Sequence, residues 1–230
     1  MPSTTVISVG GSIVVPEGVD VDFVSSFVST LRRRLERDPD AQFALVIGGG
    51  STARRYQQAA RELAPDTGSE ILDEIGIAAT RVNAAVIRAA FGDLCEDPVF
   101  TDPTAVRRVA GRVLVGGGWK PGFSTDNVAV RLAETLGADT VINLSNIRQI
   151  YTADPKLDPG ATPLETVSWA ELRRIVGDEW IPGKNTPFDP IATRRAAELN
   201  MTVIAADGRD LPNFEALLDS RPFVGTTIRS

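Results

Sequence analysis

The sequence predicts an α/β domain, a three-layer α/β/α sandwich around a mainly parallel central sheet. Short apolar, β-rich runs alternate with longer stretches of helical periodicity along the whole chain, the pattern of a sheet covered by helices on both faces. Three of the apolar runs end in glycine clusters, at Gly10-Gly11, Gly48-Gly49-Gly50 and Gly116-Gly117-Gly118. The 230 residues, 43% hydrophobic and 23% charged, suffice for one large domain with its own core.

The elements follow in order. Thr4–Val9 is β-rich and stops at Gly10. Val21–Asp38 carries Phe23, Phe27, Leu31 and Leu35 at helical spacing, with Arg32, Arg33 and Arg34 as a solvated face near its C-terminal end, where cations suit the helix dipole. Gln42–Ile47 is the second strand, and a helix starts near Ser51. Glu70–Gly92 reads as one long helical segment, and Gly76 is where a break in it would fall. A third strand within Gly111–Val115, a helix after Thr125 and a fourth strand at Asp139–Ser145 come next. A loop rich in Pro, Asp and Gly covers about residues 151–163. Helices near 168–176 and 189–199, the strand Met201–Asp207, a short helix and a terminal strand within Gly225–Ser230 complete the chain.

Composition excludes much chemistry. The chain has no histidine, which removes Ser-His-Asp and Cys-His nucleophiles, most zinc sites and histidine acid–base work. Carboxylates, cations, backbone amides and a bound metal remain, and phosphoryl transfer runs on such groups. A net charge of −6 argues against a nucleic-acid footprint. A single cysteine, Cys95, precludes an internal disulfide, and no apolar run approaches membrane-spanning length. The expectation is a soluble cytoplasmic protein with no nucleic-acid or membrane partner.

In a parallel sheet, ligands bind beyond the carboxyl ends of the strands, and all three glycine clusters follow strands. Glycine lets backbone approach closely, and a helix start offers free N–H groups to an anion. Arg54, one turn past Gly50, is placed to reach back over such a site as a bidentate clamp. The common nucleotide motifs fail. Gly117–Ser124 has Phe123 where a P-loop lysine would stand, no G-x-G-x-x-G opens the first helix, and the protein-kinase motifs are missing.

Six motifs in order resemble the amino acid kinase superfamily, and within it the archaeal-type uridylate (UMP) kinases, over nearly the whole length. They are "VGGSIVVPE" (Val9–Glu17), "GGGSTARRY" (Gly48–Tyr56), "DEIGIAATRVNA" (Asp73–Ala84), "GGGWKPGFSTD" (Gly116–Asp126), "YTADPKLDP" (Tyr151–Pro159) and the ending "GTTI". The resemblance implies the amino acid kinase fold, with an acceptor lobe at about 1–125 and a nucleotide lobe at about 126–230. It implies phosphorylation of UMP to UDP with ATP and Mg²⁺, in a homo-oligomer whose family habit is a hexamer. It implies that Gly10, Gly11 and Ser12 lie near the transferred phosphoryl group. Gly49, Gly50, Arg54, Asp73, Thr80 and Thr125 would hold the acceptor, and Asp126 would organise the reaction centre. Ser145, Tyr151, Asp154 and Pro155 would surround the adenosine of ATP. Lys120 is a candidate cation for the phosphates, with Arg54 and Lys184 as others.

Three departures stand out. Ser8 occupies a position where many superfamily members carry lysine. Arg148-Gln149 replaces the usual Asp-Gly before Tyr151, and glutamine tolerates positive φ poorly, so a reshaped loop is expected. The segment "WIPGKNTPFDP" (Trp180–Pro190) is bulkier than in the family, and Trp119 stands in the acceptor-side turn, where it could stack on a base. Two other readings stay open: a superfamily kinase for another small acidic or phosphorylated acceptor, and an inactive nucleotide- or oxyanion-binding member. The lack of histidine counts against an isopentenyl phosphate kinase, whose pattern has a functional histidine in the second glycine loop.

Overall fold

The structure is a computed structural model describing residues 3–177 and 186–230. In chain order the strands are β1 (Ser3–Val9), β2 (Ala41–Ile47), β3 (Val113–Gly116), β4 (Thr140–Ser145), β5 (Ile150–Tyr151), β6 (Pro163–Leu164), β7 (Thr166–Ser168), β8 (Thr202–Asp207) and β9 (Thr226–Arg229). The helices are α1 (Gly11–Val14), α2 (Val21–Arg37), α3 (Gly50–Leu63), α4 (Ser69–Phe91), α5 (Thr125–Leu136), α6 (Trp169–Val176), α7 (Pro190–Glu198) and α8 (Leu211–Leu218).

One seven-stranded sheet runs in the order β3-β2-β1-β4-β8-β9-β7. From β3 to β8 every pairing is parallel, and β9 turns antiparallel against β8. The period-2 alternation of each strand feeds two apolar layers. Ile7, Val9, Phe43, Leu45 and Ile47 face α2, α4 and α8 in one layer. Val6, Ala44, Val46 and Leu114 face α5, α6 and α7 in the other. This is the three-layer sandwich expected, and the sheet passes unbroken through both proposed lobes.

The order places β1 at the centre. The chain moves outward from β1 through β2 to β3, then restarts on the other side of β1 with β4. Ligands bind at such a switch point, in the crevice outside the strand ends. Gly10 sits there, its N–H donating to Leu144 O (2.8 Å), while Gly48 N donates to Val9 O (2.9 Å).

Two expectations are corrected. α4 passes unbroken through Gly76. A Cβ at Gly76 would come within 2.8 Å of the amide nitrogen of Gln57, whose Nε2 donates to Leu72 O (2.8 Å); this glycine admits α3 alongside α4. The stretch 151–163 is also more than a loop, since its ends pair as the antiparallel hairpin β5–β6. Among the described residues no helix is long and apolar enough to cross a membrane.

Candidate active site

The first two glycine turns are built against each other. A side chain on Gly11 would overlap the backbone nitrogen of Gly50 and approach Gly48 C to 2.7 Å. Gly50 has φ of +58°, and a Cβ there would run into the carbonyl of Gly11. Glycine is required here for backbone-on-backbone packing and for the left-handed turn that opens α3. Asn83, buried on α4, donates from Nδ2 to Gly48 O (2.9 Å) and Gly49 O (3.0 Å) and fixes the second turn from behind. Ser51 N is held by Val15 O (2.9 Å), and the buried Ser51 Oγ has no partner among the described residues.

The third turn is clamped onto α4. Thr80 Oγ1 donates to Ile77 O (2.6 Å) and accepts from Gly118 N (2.6 Å). Arg81 donates to Gly118 O (3.3 Å) and Trp119 O (3.0 Å). Asp73 Oδ2 accepts from Gly122 N (2.8 Å). Between the second and third turns lies a cavity of about 200 Å³ lined by Gly49, Gly50, Gln57, Asp73, Gly76, Ile77, Thr80, Gly118, Phe123, Ser124 and Thr125. A larger open groove of about 330 Å³ between α2 and α8 contains none of the glycine turns, and its Arg33 and Glu215 face each other at 3.5 Å.

Asp126 stands one residue into α5, beneath the switch point. Ser8 Oγ, fully buried on β1, donates to Asp126 Oδ1 (3.0 Å). Asp189 N donates to Asp126 Oδ2 (3.3 Å). Asp189, itself buried, caps α7 by accepting from Ala192 N (2.7 Å). Burial first, and then the charge of Asp189, push the Asp126 carboxyl up from 3.8 to about 6. Burial also raises Asp189, against hydrogen bonds from Ala192 N, the Ser124 hydroxyl and Ile191 N. The result is a pair of hard oxygen donors that a cation would stabilise.

The sequence-predicted residues separate into groups. Gly49, Gly50, Asp73, Thr80 and Thr125 share the cavity wall, although the Thr80 hydroxyl is already committed as donor and acceptor. Gly10, Gly11 and Ser12 sit at the end of β1, and the N–H groups of Gly11 and Ser12, in the first turn of α1, have no acceptor within that helix. Arg54 is exposed on α3 and donates to Pro16 O (3.4 Å). Lys120 is exposed, its ammonium 4.0 Å from the centre of the Trp119 ring and 4.9 Å from that of Phe123. Trp119 meets Phe123 edge to face at 4.8 Å, so both aromatic rings of this turn are engaged within it. Lys184 and Trp180 lie outside the described residues.

The other group follows β4. Ser145 ends that strand, its carbonyl accepting from Gly208 N (2.8 Å) and its Oγ from Ile147 N (3.4 Å). Tyr151 is on β5. Asp154 Oδ1 accepts from Lys156 N (2.9 Å), making the exposed Asp154-Pro155 a side-chain-capped turn. The Arg148-Gln149 change is absorbed without a left-handed residue, since neither has positive φ. Gln149 Nε2 instead donates to Gly225 O (3.1 Å), and Ile150 N to Thr226 Oγ1 (2.8 Å), while Thr226 Oγ1 donates to Leu164 O. The "GTTI" ending therefore latches the hairpin to β9.

The family model described as "Amino acid kinase family" matches residues 3–207. The chain belongs to the amino acid kinase family. A uridylate kinase from Methanospirillum hungatei is 38% identical over 228 residues, covering 98% of this chain and 94% of the relative. One from Pyrococcus abyssi is 36% identical over 190 residues, covering 81% and 82%. The crystal structure of uridylate kinase from Archaeoglobus fulgidus superposes with a TM-score of 0.82 at 32% identity, covering 98% of this chain and 99% of that one. A UMP kinase from Bacillus anthracis shares the fold with a TM-score of 0.76 at 15% identity. Within this amino acid kinase, two residues were not found by reading the sequence for motifs. Asp189 stood only at the start of the helix expected near 189–199, and Ser8 where many superfamily members carry lysine. Only the fold brings both onto Asp126.

Proposed function

We propose that this chain is a uridylate kinase that moves the γ-phosphoryl group of ATP onto UMP, giving UDP and ADP. The observation that carries the reading is the sheet order. It sets Gly10 at the centre, the cavity walled by the second and third glycine turns beyond β2 and β3, and the ends of β4 and β8 with the latched hairpin on the other side. One side suits an acceptor, the other a nucleotide donor, and the first glycine turn lies between them.

In this reading UMP occupies the cavity. The free oxygen of Asp73 accepts from its ribose, and Thr125 with the start of α3 receives its phosphate. An acceptor phosphate oxygen is anionic at neutral pH, so it attacks the γ-phosphorus in line without a base. A new P–O bond forms as the bond to the β-phosphate oxygen breaks and ADP leaves. Gly11 and Ser12 hold the group in flight with backbone N–H donors, and Gly10, whose own N–H is on Leu144 O, lets the backbone come close to it. Arg54 on α3 and Lys120 in the third glycine turn are exposed cations whose side-chain rotation would bring a charge to the phosphates. Ser145, Tyr151, Asp154 and Pro155 border the adenosine.

Mg²⁺ fits the donor set. Asp126 and Asp189 are hard oxygen ligands, and among the described residues no cluster of three or more ligating side chains forms a protein-only cage. Mg²⁺ takes few ligands from the protein and most from phosphates and water, so two carboxylates would suffice. Bound there, Mg²⁺ would neutralise charge on the phosphates. Asp126, held by Ser8 and by Asp189 N, orients that chemistry. The two lobes, about 1–125 and about 126–230, are the acceptor and nucleotide halves of this site. A homo-oligomer belongs to the same reading.

The test is ADP release from Mg·ATP with UMP, CMP, AMP, GMP, isopentenyl phosphate, acetylglutamate or no acceptor. The proposal expects release that depends on UMP. Release with another acceptor and none with UMP would overturn the substrate, and ATP binding with no release for any acceptor would overturn the enzyme.

A further inference from the structure

α1 is four residues long, too short to satisfy the carbonyls at its own end. Those carbonyls, and the two that follow, are taken up one by one from elsewhere. Val15 O accepts from Ser51 N (2.9 Å) and Pro16 O from the Arg54 guanidinium (3.4 Å), both on α3. Val14 O accepts from Asp20 N (3.0 Å). Ile13 O accepts from Nη2 of Arg209 (3.2 Å), 196 residues away. The same guanidinium donates from Nη1 to Asp20 Oδ2 (3.1 Å) and lies over the Phe23 ring, 5.4 Å from its centre. Asp20 is fixed in turn, since Oδ1 caps α2 by accepting from Phe23 N (3.0 Å). Arg209 belongs to the turn after β8. Its N–H donates to Asp207 Oδ1 (2.9 Å), Gly208 N donates to Ser145 O (2.8 Å), and a Cβ at Gly208 would overlap Ile13 Cδ1.

We propose that Arg209 is a positioning residue for phosphoryl transfer: it ties the turn after β8 to the end of α1 and so sets the N–H groups of Gly11 and Ser12 at the reaction centre. It rests on the uridylate kinase reading, in which those N–H groups hold the group in flight and Ser145 borders the adenosine. The chemistry favours arginine at this position. One planar fork reaches a carbonyl and a carboxylate at once and stacks on an aromatic face, which a single ammonium cannot do from one place. A cation also suits the carbonyl end of a helix. The acceptor side grips the chain after α1 through Val15 O and Pro16 O. On the nucleotide side Gly10 N on Leu144 O holds the start of α1, and Arg209 holds its end. Loss of that hold frees the end of α1 to tilt. N–H donors that must meet developing charge at about 3 Å lose most from a tilt, whereas the cavity between the second and third glycine turns keeps its walls. The effect therefore falls on kcat and spares KM for UMP. The Arg209 and Asp20 side chains are 42% and 27% exposed, so breaking the pair costs little global stability.

The test compares wild type, R209A, R209K and D20N/R209A, each checked for fold by circular dichroism and thermal melting. R209A is expected to lower kcat for UMP-dependent ADP release at least about tenfold, with KM for UMP within about twofold of wild type. R209K keeps a charge that reaches one of the two partners and is expected to recover part of the loss. D20N/R209A is expected to be no slower than R209A, because the two residues act through one contact. Amide hydrogen exchange gives a reading that does not depend on turnover. The N–H groups of Ile13, Val14 and Val15 donate to Gly10 O and Gly11 O; in R209A they are expected to exchange at least about tenfold faster while those of α5 do not change. A wild type with no UMP-dependent release would overturn the kinase reading and the catalytic use of Arg209 together. An active wild type beside an R209A of unchanged kcat would overturn this proposal alone. So would unchanged exchange at α1, a fall in kcat matched by a rise in KM for UMP, or a fall that only follows loss of fold.

Discussion

Replacing Asp126 by asparagine sets function against stability, and pH separates the two. The buried carboxyl titrates near 6 against an ordinary 3.8, which corresponds to about 3 kcal/mol of free energy opposing its ionisation in the fold, at about 1.36 kcal/mol per pH unit. The sign follows from proton counts. Between the two values the folded chain binds more protons than the unfolded one, so this group makes stability fall as pH rises through about 4 to 6. D126N removes that loss. It keeps an acceptor for Ser8 Oγ but turns an amide donor toward Asp189 N, which costs about 1–3 kcal/mol. At pH 4 the variant is expected to be the less stable of the two. By pH 7 it gains about 3 kcal/mol relative to wild type and becomes equal or more stable. Carboxylates away from Asp126 titrate alike in both proteins and cancel in the difference, whereas the repulsion between Asp126 and Asp189 is part of the shift and disappears with it. Urea unfolding of both proteins from pH 4 to 8 measures it, and each kcal/mol also moves the melting temperature by about 2–4 °C for a chain of this size. Turnover in D126N is expected to fall at least about a hundredfold. A stability difference that stays flat with pH would refute the buried-carboxylate argument, and near-normal turnover in a folded D126N would refute the organising role of Asp126.

Three further outcomes follow from other contacts. G50A puts a methyl group into the Gly11 carbonyl at a left-handed φ, and a loss of about 3 kcal/mol or more is expected in chemical denaturation. S8A removes a hydrogen bond that lowers the Asp126 pKa; the acid limb of kcat/KM is expected to move up by about one pH unit, and an unmoved limb would separate Ser8 from the reaction. T226V keeps the shape of a buried side chain but leaves Ile150 N and Leu164 O without it. It is expected to lower stability by about 2 kcal/mol and to raise KM for ATP more than KM for UMP, read from steady-state kinetics.

The sheet and most helices were legible because their signals are local. Apolar runs stop at glycine, and Phe23, Phe27, Leu31 and Leu35 mark a helix face within their own segment. Part of the cavity wall was legible for the same reason, since Gly49, Gly50 and Thr125 sit in or beside turns with their own signatures, whereas Asp73, inside α4, was singled out only through the family resemblance. Gly76 misled because a glycine that breaks a helix and one that admits a neighbouring helix look alike, and only Gln57 across the gap decides. At Gln149 the sequence showed that glycine was gone but not what took its place, because the amide donates to Gly225 O, 76 residues away. Ser8 and Asp189 were unreadable for a different reason. They reach Asp126 from 118 and 63 residues away in sequence, and no local pattern encodes a contact made by strand order. Lys120 had the right charge in the right turn, but its position over Trp119 and Phe123 is a matter of side-chain packing.

The most direct test of the central claim follows the phosphoryl group itself. ATP labelled in its γ-phosphate is incubated with the purified protein, Mg²⁺ and UMP, and the products are separated by ion-exchange chromatography. Transfer across the first glycine turn predicts label in the β-phosphate of UDP, with one ADP formed for each UDP. Label that remains in ATP, or that appears as inorganic phosphate at the same rate with and without UMP, would contradict it.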